Sequence, residues 1–406
     1  MASLFWISCA IIAYVYAGYP ALLMVWARVS RRAVITAAPS SATPSTGMPA
    51  VSIVIAARNE GPRLARRIDN LMQLEHSGDR QIVVVSDGST DDTLDVLARY
   101  GAAVDIVAVE AGGKAVALNA GVAHARHEII VFADARQVFA HDALVELTAP
   151  FRDPRVGAVT GELLLDCEAR GQRRVDRRTG SGNPPPATKP NRRAGADRRR
   201  TAESTIADGV GLYWRYEKQI RRCESAVGST LGATGAIYAL RRSLWVPLPP
   251  ETILDDVLAP MRAVLAGYRI VFNERARAFD SASPDADAEI ARKIRTLAGN
   301  FQILKLEPRL LLPWTNPVWF QYVSHKLGRL VVPYAMLALI ASSMALADRS
   351  LVYAAALAAQ CVFYLLAGYG AWLDQRGHIA AGRMPRSFAA TWPAAPSTDP
   401  PGALNA

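Results

Sequence analysis

An apolar run at 129–132 stops at Ala133-Asp134-Ala135-Arg136 within the stretch EIIVFADARQ (128–137). A run this short and unbroken fits a strand buried on both faces, as in a parallel sheet. Open α/β sheets bind ligands outside the carboxyl ends of their strands, so an acid at that rim is placed for chemistry. Asp134 is therefore read as the marker of a ligand and metal site. The competing reading is a side chain that merely caps the following turn. Other apolar runs end in similar polar clusters: Arg58-Asn59-Glu60-Gly61 follows 51–56, and Ser86-Asp87-Gly88-Ser89-Thr90-Asp91-Asp92 follows 81–85.

The elements that must position these residues alternate. Strands are expected at 51–56, 81–85, 104–109 and 129–132, and helices at 62–74, 93–100 and from Gly112-Gly113-Lys114 through His124. Leu64, Ile68, Leu71 and Leu74 recur at helical spacing. Strand and helix taking turns predict a doubly wound parallel sheet, which gathers the polar clusters at one edge. Asp91 and Asp92 fit N-caps of the helix after them. Downstream come a strand at 156–166, a helix at 206–225, and Gly232-Ala233-Thr234-Gly235-Ala236 leading into a strand at 237–240. The pair Asp255-Asp256 opens a helix that Gly267 closes, a strand covers 269–273, and an amphipathic helix covers 288–306. Asp255 and Asp256 suit a helix start on dipole grounds alone.

The 406-residue chain is 51% hydrophobic and 20% charged. Its net charge of +10 would suit a nucleic-acid partner. The excess is local, however: eleven Lys/Arg against three acids lie between Glu168 and Arg200, beside a Pro-Pro-Pro run. No nucleic acid is expected. Residues 168–204 are read as a disordered basic insertion, too poor in large apolar residues to order themselves. Residues 4–26 are apolar and uncharged, long enough to cross a bilayer, and are followed by Arg28, Arg31 and Arg32. That flank belongs in the cytoplasm by the positive-inside bias. Two more apolar stretches, 330–346 and 351–373, follow interface-type aromatics Trp319, Phe320 and Tyr322. The four cysteines show neither metal spacing nor a disulfide framework.

Taken together, the motifs VSIVIAARNE, SDGSTDDT, GGKAVALNAG, FADARQ, GATGAIYALRR and ILDDV resemble, in order, those of the membrane-anchored family 2 glycosyltransferases, the group holding cellulose, hyaluronan and chitin synthases. The resemblance spans about residues 50–312. It implies an α/β GT-A fold (nucleotide-diphospho-sugar transferase, Rossmann-like) with one N-terminal and two C-terminal transmembrane helices. The implied layout is an N-terminal helix at 1–27, a linker at 28–49 and the catalytic domain at 50–312. An interfacial segment at 313–329, two membrane helices at 330–374 and a cytoplasmic tail at 375–406 complete it. Donor contacts would come from Asn59, Glu60, Asp87, Lys114, Asp134 and Arg295, with Asp87 on the uridine and Lys114 reaching the diphosphate from a helix N-terminus. Asp134 would hold Mg²⁺ or Mn²⁺. Thr234, Gly235, Ala236 and Asp255 would line the acceptor side. Asp256 would act as catalytic base, already ionised if its pKa stays near ~3.9.

Two departures from the family pattern stand out. Arg136 occupies the place of the second acid of the Asp-x-Asp site, and a cation ligates no metal. The segment RKIRT keeps Arg295 where Gln-x-x-Arg-Trp is expected, but Thr296 replaces the sugar-stacking Trp. The expected function is inverting transfer of a sugar, from a nucleotide donor of UDP type, to a saccharide or lipid-linked acceptor. It would take place at the cytoplasmic face of the inner membrane, in cell-surface polysaccharide synthesis and alongside other synthesis or export subunits. The rival readings are a polyprenyl-phosphate sugar transferase and an inactive scaffold of a polysaccharide machine.

Overall fold

The computed structural model describes residues 1–30, 32, 48–165, 214–280 and 286–380. The insertion expected at 168–204, most of the linker at 28–49 and the tail from 381 lie outside the described residues.

The uninterrupted apolar runs form the central strands. β1 (Val51–Ala57), β2 (Arg80–Asp87) and β4 (Ile129–Ala133) are buried along almost their whole length. With β3 (Asp105–Val109) they make a parallel half-sheet in the order β3-β2-β1-β4. The all-parallel expectation fails beyond β4. There β7 (Ile237–Arg241) joins antiparallel to β4, and β6 (Val156–Leu165), β8 (Arg269–Asp280) and the short β5 (Val138–Phe139) extend one eight-stranded mixed sheet. The reason is connectivity: a parallel neighbour needs a crossover on the sheet face, whereas β7 enters beside β4 from the turn at 232–236.

After the N-terminal helices α1 (Ala2–Ala13) and α2 (Tyr19–Val29), further helices cover both faces of the sheet. α3 (Gly61–Met72) and α4 (Thr93–Ala98) lie over the first strands, and α5 (Lys114–His124) crosses β1 and β2. Gly121 permits that crossing, because a Cβ there would lie 2.4 Å from Val54 Cγ1. α6 (Ala143–Thr148) packs on β8. Two apolar clusters, one on each face, hold the layers together. α7 (214–227) is covered by residues of the N-terminal apolar helix: Tyr19, Leu23 and Ala27 pack with Ile220, Cys223 and Val227. α8 (Asp255–Leu265) and α9 (Ala286–Leu306) follow in the chain.

Among the described residues, three helical segments are long and apolar enough to cross a membrane: Ala2–Val29, Trp319–Arg349 and Leu351–Gly370. The first and second each contain a π-helical turn, Tyr14–Gly18 and Tyr322–Leu327. The chain divides into two compact units. One comprises 13–284 and 289–331 and holds the whole sheet. The other comprises 1–12, 285–288 and 332–406, where Phe5 meets Tyr353 edge to face at 4.8 Å.

Candidate active site

Asp134 lies just beyond the end of β4, where the chain leaves the sheet. Its Oδ1 sits 3.2 Å from Nζ of Lys114, the first residue of α5, and both side chains are about one-third exposed. The same ammonium lies 3.3 Å from Oδ2 of Asp255, a buried side chain at the start of α8. Lys114 thus bridges two acids that are 121 positions apart in the chain. Burial works against its charge, but Asp255, Asp134 and Asp256 outweigh that and hold its pKa above the ordinary lysine value.

Asp256, the next residue, accepts a hydrogen bond from the Gly235 N–H at 3.0 Å, and its backbone carbonyl accepts one from Ala233 at 2.8 Å. The helix start therefore fixes the turn at 232–236. Neither acid serves as a side-chain cap of α8, whose N-cap is Leu254. Burial and the neighbouring Asp255 push the Asp256 carboxyl up to about 6, with Lys114 pulling the other way. Its expected value near ~3.9 is thereby corrected, and a base poised near working pH is the better proton acceptor. In the same turn the Thr234 N–H donates to Thr160 Oγ1 at 2.8 Å, and Thr234 Oγ1 accepts from Arg221 Nη1 at 2.8 Å. Ala236 is buried at the entry to β7.

Asp87, buried at the end of β2, accepts the Gly112 N–H at 2.7 Å and the Gly113 N–H at 3.0 Å on Oδ1. Arg58 stands 3.9 Å from its Oδ2. A carboxylate offers about four lone-pair sites, so capacity remains for a nucleoside. Asn59 adopts a positive φ of 54°, a conformation Asn tolerates better than most residues. Its Oδ1 accepts the Thr90 N–H at 2.8 Å, locking the loop after β1 to the loop after β2. Glu60 holds the N-cap position of α3 and pairs with Arg63 at 3.0 Å. The capping expected of Asp91 and Asp92 is divided differently. Asp92 occupies the N-cap position without a side-chain bond, and Asp91 bonds the Thr93 N–H at 3.0 Å and the Thr93 hydroxyl at 2.5 Å. Arg295 is exposed on α9 and joins none of these acids through a hydrogen bond or ion pair.

Three contributors, Arg67, Tyr238 and Asp280, escape a reading of the motifs. Arg67 on α3 is 1% exposed, stacks over Phe139 at 3.9 Å and donates to Asn70 at 2.8 Å. Burial pulls its guanidinium down to about 9, while Asp134 supports its charge. Helical spacing from Leu64 places it on the buried stripe, which is the signal that could have found it. Tyr238 is fully buried, stacks on Phe132 at 4.6 Å, and its hydroxyl has no hydrogen-bond partner among the described residues. Burial, then the acids Asp255, Asp256 and Asp134, raise its pKa well above the usual phenol value. Arg136, the cation in the second acid's place, donates through Nη2 to Asp280 Oδ2 at 2.5 Å, and Gln137 donates to the same oxygen at 3.0 Å. Asp280 was missed because β8 runs seven residues past its expected end at 273.

The profile of Glycosyl transferase family 2 matches residues 52–221. The chain carries a family 2 glycosyltransferase domain. Over 115 residues the chain is 30% identical to a poly-β-1,6-N-acetyl-D-glucosamine synthase of Staphylococcus epidermidis, covering 27% of the chain and 28% of that protein. Over 119 residues it is 35% identical to a β-monoglucosyldiacylglycerol synthase of a Nostoc species, covering 28% of the chain and 25% of that protein. The match thus spans only about a quarter of each curated relative. A mannosyltransferase from Pyrobaculum calidifontis, solved with GDP-mannose and Mn²⁺, superposes with a TM-score of 0.64 at 22% identity. That superposition covers 93% of the chain and 97% of the mannosyltransferase, and it shows the GT-A fold.

A divalent ion such as the Mn²⁺ of that mannosyltransferase would find a part-exposed carboxylate donor in Asp134. Among the described residues no group of three His, Cys, Asp or Glu is placed to hold an ion. A Mg²⁺-like ion is bound through one or two carboxylates, substrate phosphates and water, an arrangement to which Asp134 could contribute.

Proposed function

We propose that the chain is a membrane-anchored, inverting glycosyltransferase that moves a sugar from a nucleotide donor of UDP type to a hydroxyl acceptor. The observation that carries this reading is Asp256, a carboxyl raised to about 6 and aimed at the Gly235 turn. It is linked through Asp255 and Lys114 to Asp134 on the donor side. As the acceptor oxygen bonds to the anomeric carbon, its proton passes to Asp256. The bond from that carbon to the diphosphate oxygen breaks, and its electron pair leaves with the nucleoside diphosphate. Lys114 faces the leaving group from a helix N-terminus, where an ammonium and backbone dipoles favour an anion. Asp134 with the donor phosphates would hold the divalent ion, which neutralises the diphosphate when bound. Asp87 and the locked loops at 58–61 and 86–92 shape the nucleoside side.

We read this activity as a step in surface polysaccharide or glycolipid synthesis, a reading the names of the relatives support, carried out at the inner membrane with the domain in the cytoplasm. The basic flank after the first span (Arg28, Arg31, Arg32) supports that orientation. A panel of nucleotide sugars, incubated with purified full-length protein with and without Mn²⁺, tests donor and metal together. Hydrolysis or transfer from a UDP-sugar, lost in Asp87→Ala, is expected. Failure of every donor to bind would favour a scaffold role instead.

A further inference from the structure

A cavity of about 480 Å³ opens beneath the Gly232–Ala233 turn. Its roof includes Val257, the neighbour of Asp256, and its walls come from α7, α9 and the π-helical turn Tyr322–Leu327. Five cationic side chains line it, Arg221, Arg292, Lys293, Lys326 and Arg329, against two carboxylates, Glu217 and Glu224. The carboxylates are already engaged. Glu224 lies 2.7 Å from His325 and accepts the Tyr19 hydroxyl at 3.0 Å, and Glu217 pairs with Arg329. Lys326 makes no hydrogen bond or ion pair with any described residue, yet it interacts electrostatically with Asp256. Glu224 and Glu217 act on it through space as well, yet a partly buried ammonium with no direct hydrogen-bond partner is costly, and an anion seated in the cavity would supply that partner. The turn that carries it is π-helical, a departure from the α-helix that is frequent at functional sites. It lies in the first turns of the candidate span Trp319–Arg349, among Trp319, Phe320 and Tyr322, aromatic residues of the kind enriched where lipid headgroups meet protein.

We infer that this cavity seats the acceptor, a membrane lipid whose headgroup carries a phosphate held by Lys326 and Arg221 and a hydroxyl that reaches Asp256. The inference rests on the glycosyltransferase reading above and adds the acceptor's class to it. A neutral saccharide would leave the lining's excess of cations over carboxylates unmatched. In this arrangement the phosphate is the anchor and the hydroxyl is the nucleophile: the hydroxyl oxygen bonds to the anomeric carbon, its proton goes to Asp256, and the nucleoside diphosphate departs with the electron pair.

The test uses full-length protein in phosphatidylcholine nanodiscs with labelled UDP-sugar. Three probes are added separately: phosphatidylglycerol (phosphate and hydroxyl on a lipid), diacylglycerol (hydroxyl alone) and glycerol 1-phosphate (the same headgroup chemistry in solution). The expected result is retention of, and transfer to, phosphatidylglycerol over the other two. Loss of one charge-assisted phosphate contact in Lys326→Gln or Arg221→Gln should raise the phosphatidylglycerol KM about tenfold or more. In these variants UDP binding stays intact, and Lys326→Arg restores the KM. Equal use of diacylglycerol, equal use of glycerol 1-phosphate, or an unchanged KM in both Gln variants overturns the inference. So does full turnover in Asp256→Asn, which would make the phosphate the nucleophile. If the unaltered chain binds no UDP, the glycosyltransferase reading itself fails and the acceptor role falls with it. Intact UDP binding with unaffected lipid kinetics sinks the cavity assignment alone.

Discussion

The base role proposed for Asp256 depends on its surroundings. Burial and Asp255 raise it to about 6, and Lys114 lowers it. Because the base must be ionised to accept a proton, activity should fall as pH drops through that value. The acid limb of kcat/KM is expected near pH 6 instead of near ~3.9. Asp255→Asn removes a raising charge and should move the limb to lower pH. Lys114→Gln removes a lowering charge and should move it to higher pH. A pH–rate series on the three proteins checks both signs. Asp256→Asn should cost about 10²–10⁴ in kcat, the range for a lost general base, with UDP affinity unchanged by calorimetry. Gly235→Ala is a sharper probe, since its Cβ would lie 2.9 Å from Asp256 Oδ2. It should cut kcat while leaving the melting temperature nearly unmoved, because the side chain that must shift is the base itself.

At the scale of elements, Arg136 ties the loop after β4 to the end of β8 through the buried Asp280. Placing an acid at 136, as the family pattern would, sets a like charge against a buried carboxylate. Arg136→Asp should therefore destabilise the fold by about 1–3 kcal/mol, read as a lowered denaturant midpoint, without strengthening metal dependence. α5 is held by a different constraint. Its closest approach to the sheet is at Gly121, and a larger side chain there must push against Val54. Gly121→Val should cost about 1–3 kcal/mol as an overpacked core contact. It should also weaken UDP binding, because Lys114 rides on the same helix. A loss of UDP binding in Gly121→Val with no loss of stability would contradict this coupling.

For the whole molecule, the three apolar spans and the basic flank after the first make an orientation prediction. Reporter fusions at the N-terminus should lie outside the cytoplasm, and fusions placed next to the glycosyltransferase domain should lie inside. The reverse pattern would separate the domain from cytoplasmic nucleotide sugars. Much of this architecture was legible in the chain itself. Continuous apolar runs such as Ile129–Ala133 announce strands buried on both faces, and the acids Asp87, Asp134 and Asp256 mark where the chain leaves an element or enters one. The second half of β8, NERARAFD, carries too many charges to read as a strand. Its place comes from pairing with β6 across two register shifts, which no local pattern encodes.

Local composition thus determined which stretches are strands, which helices are apolar enough for a membrane, and which acids stand at their ends, because these depend on neighbours within a few residues. Only the tertiary structure decided that Lys114 joins Asp134 to Asp255, that Asp280 claims Arg136, and that a cationic cavity lies under Asp256. These depend on burial and on distances of a few ångströms between residues far apart in the chain. Charge interactions act through space and grow as water is excluded, so their outcome is settled by the fold and not by the order of residues.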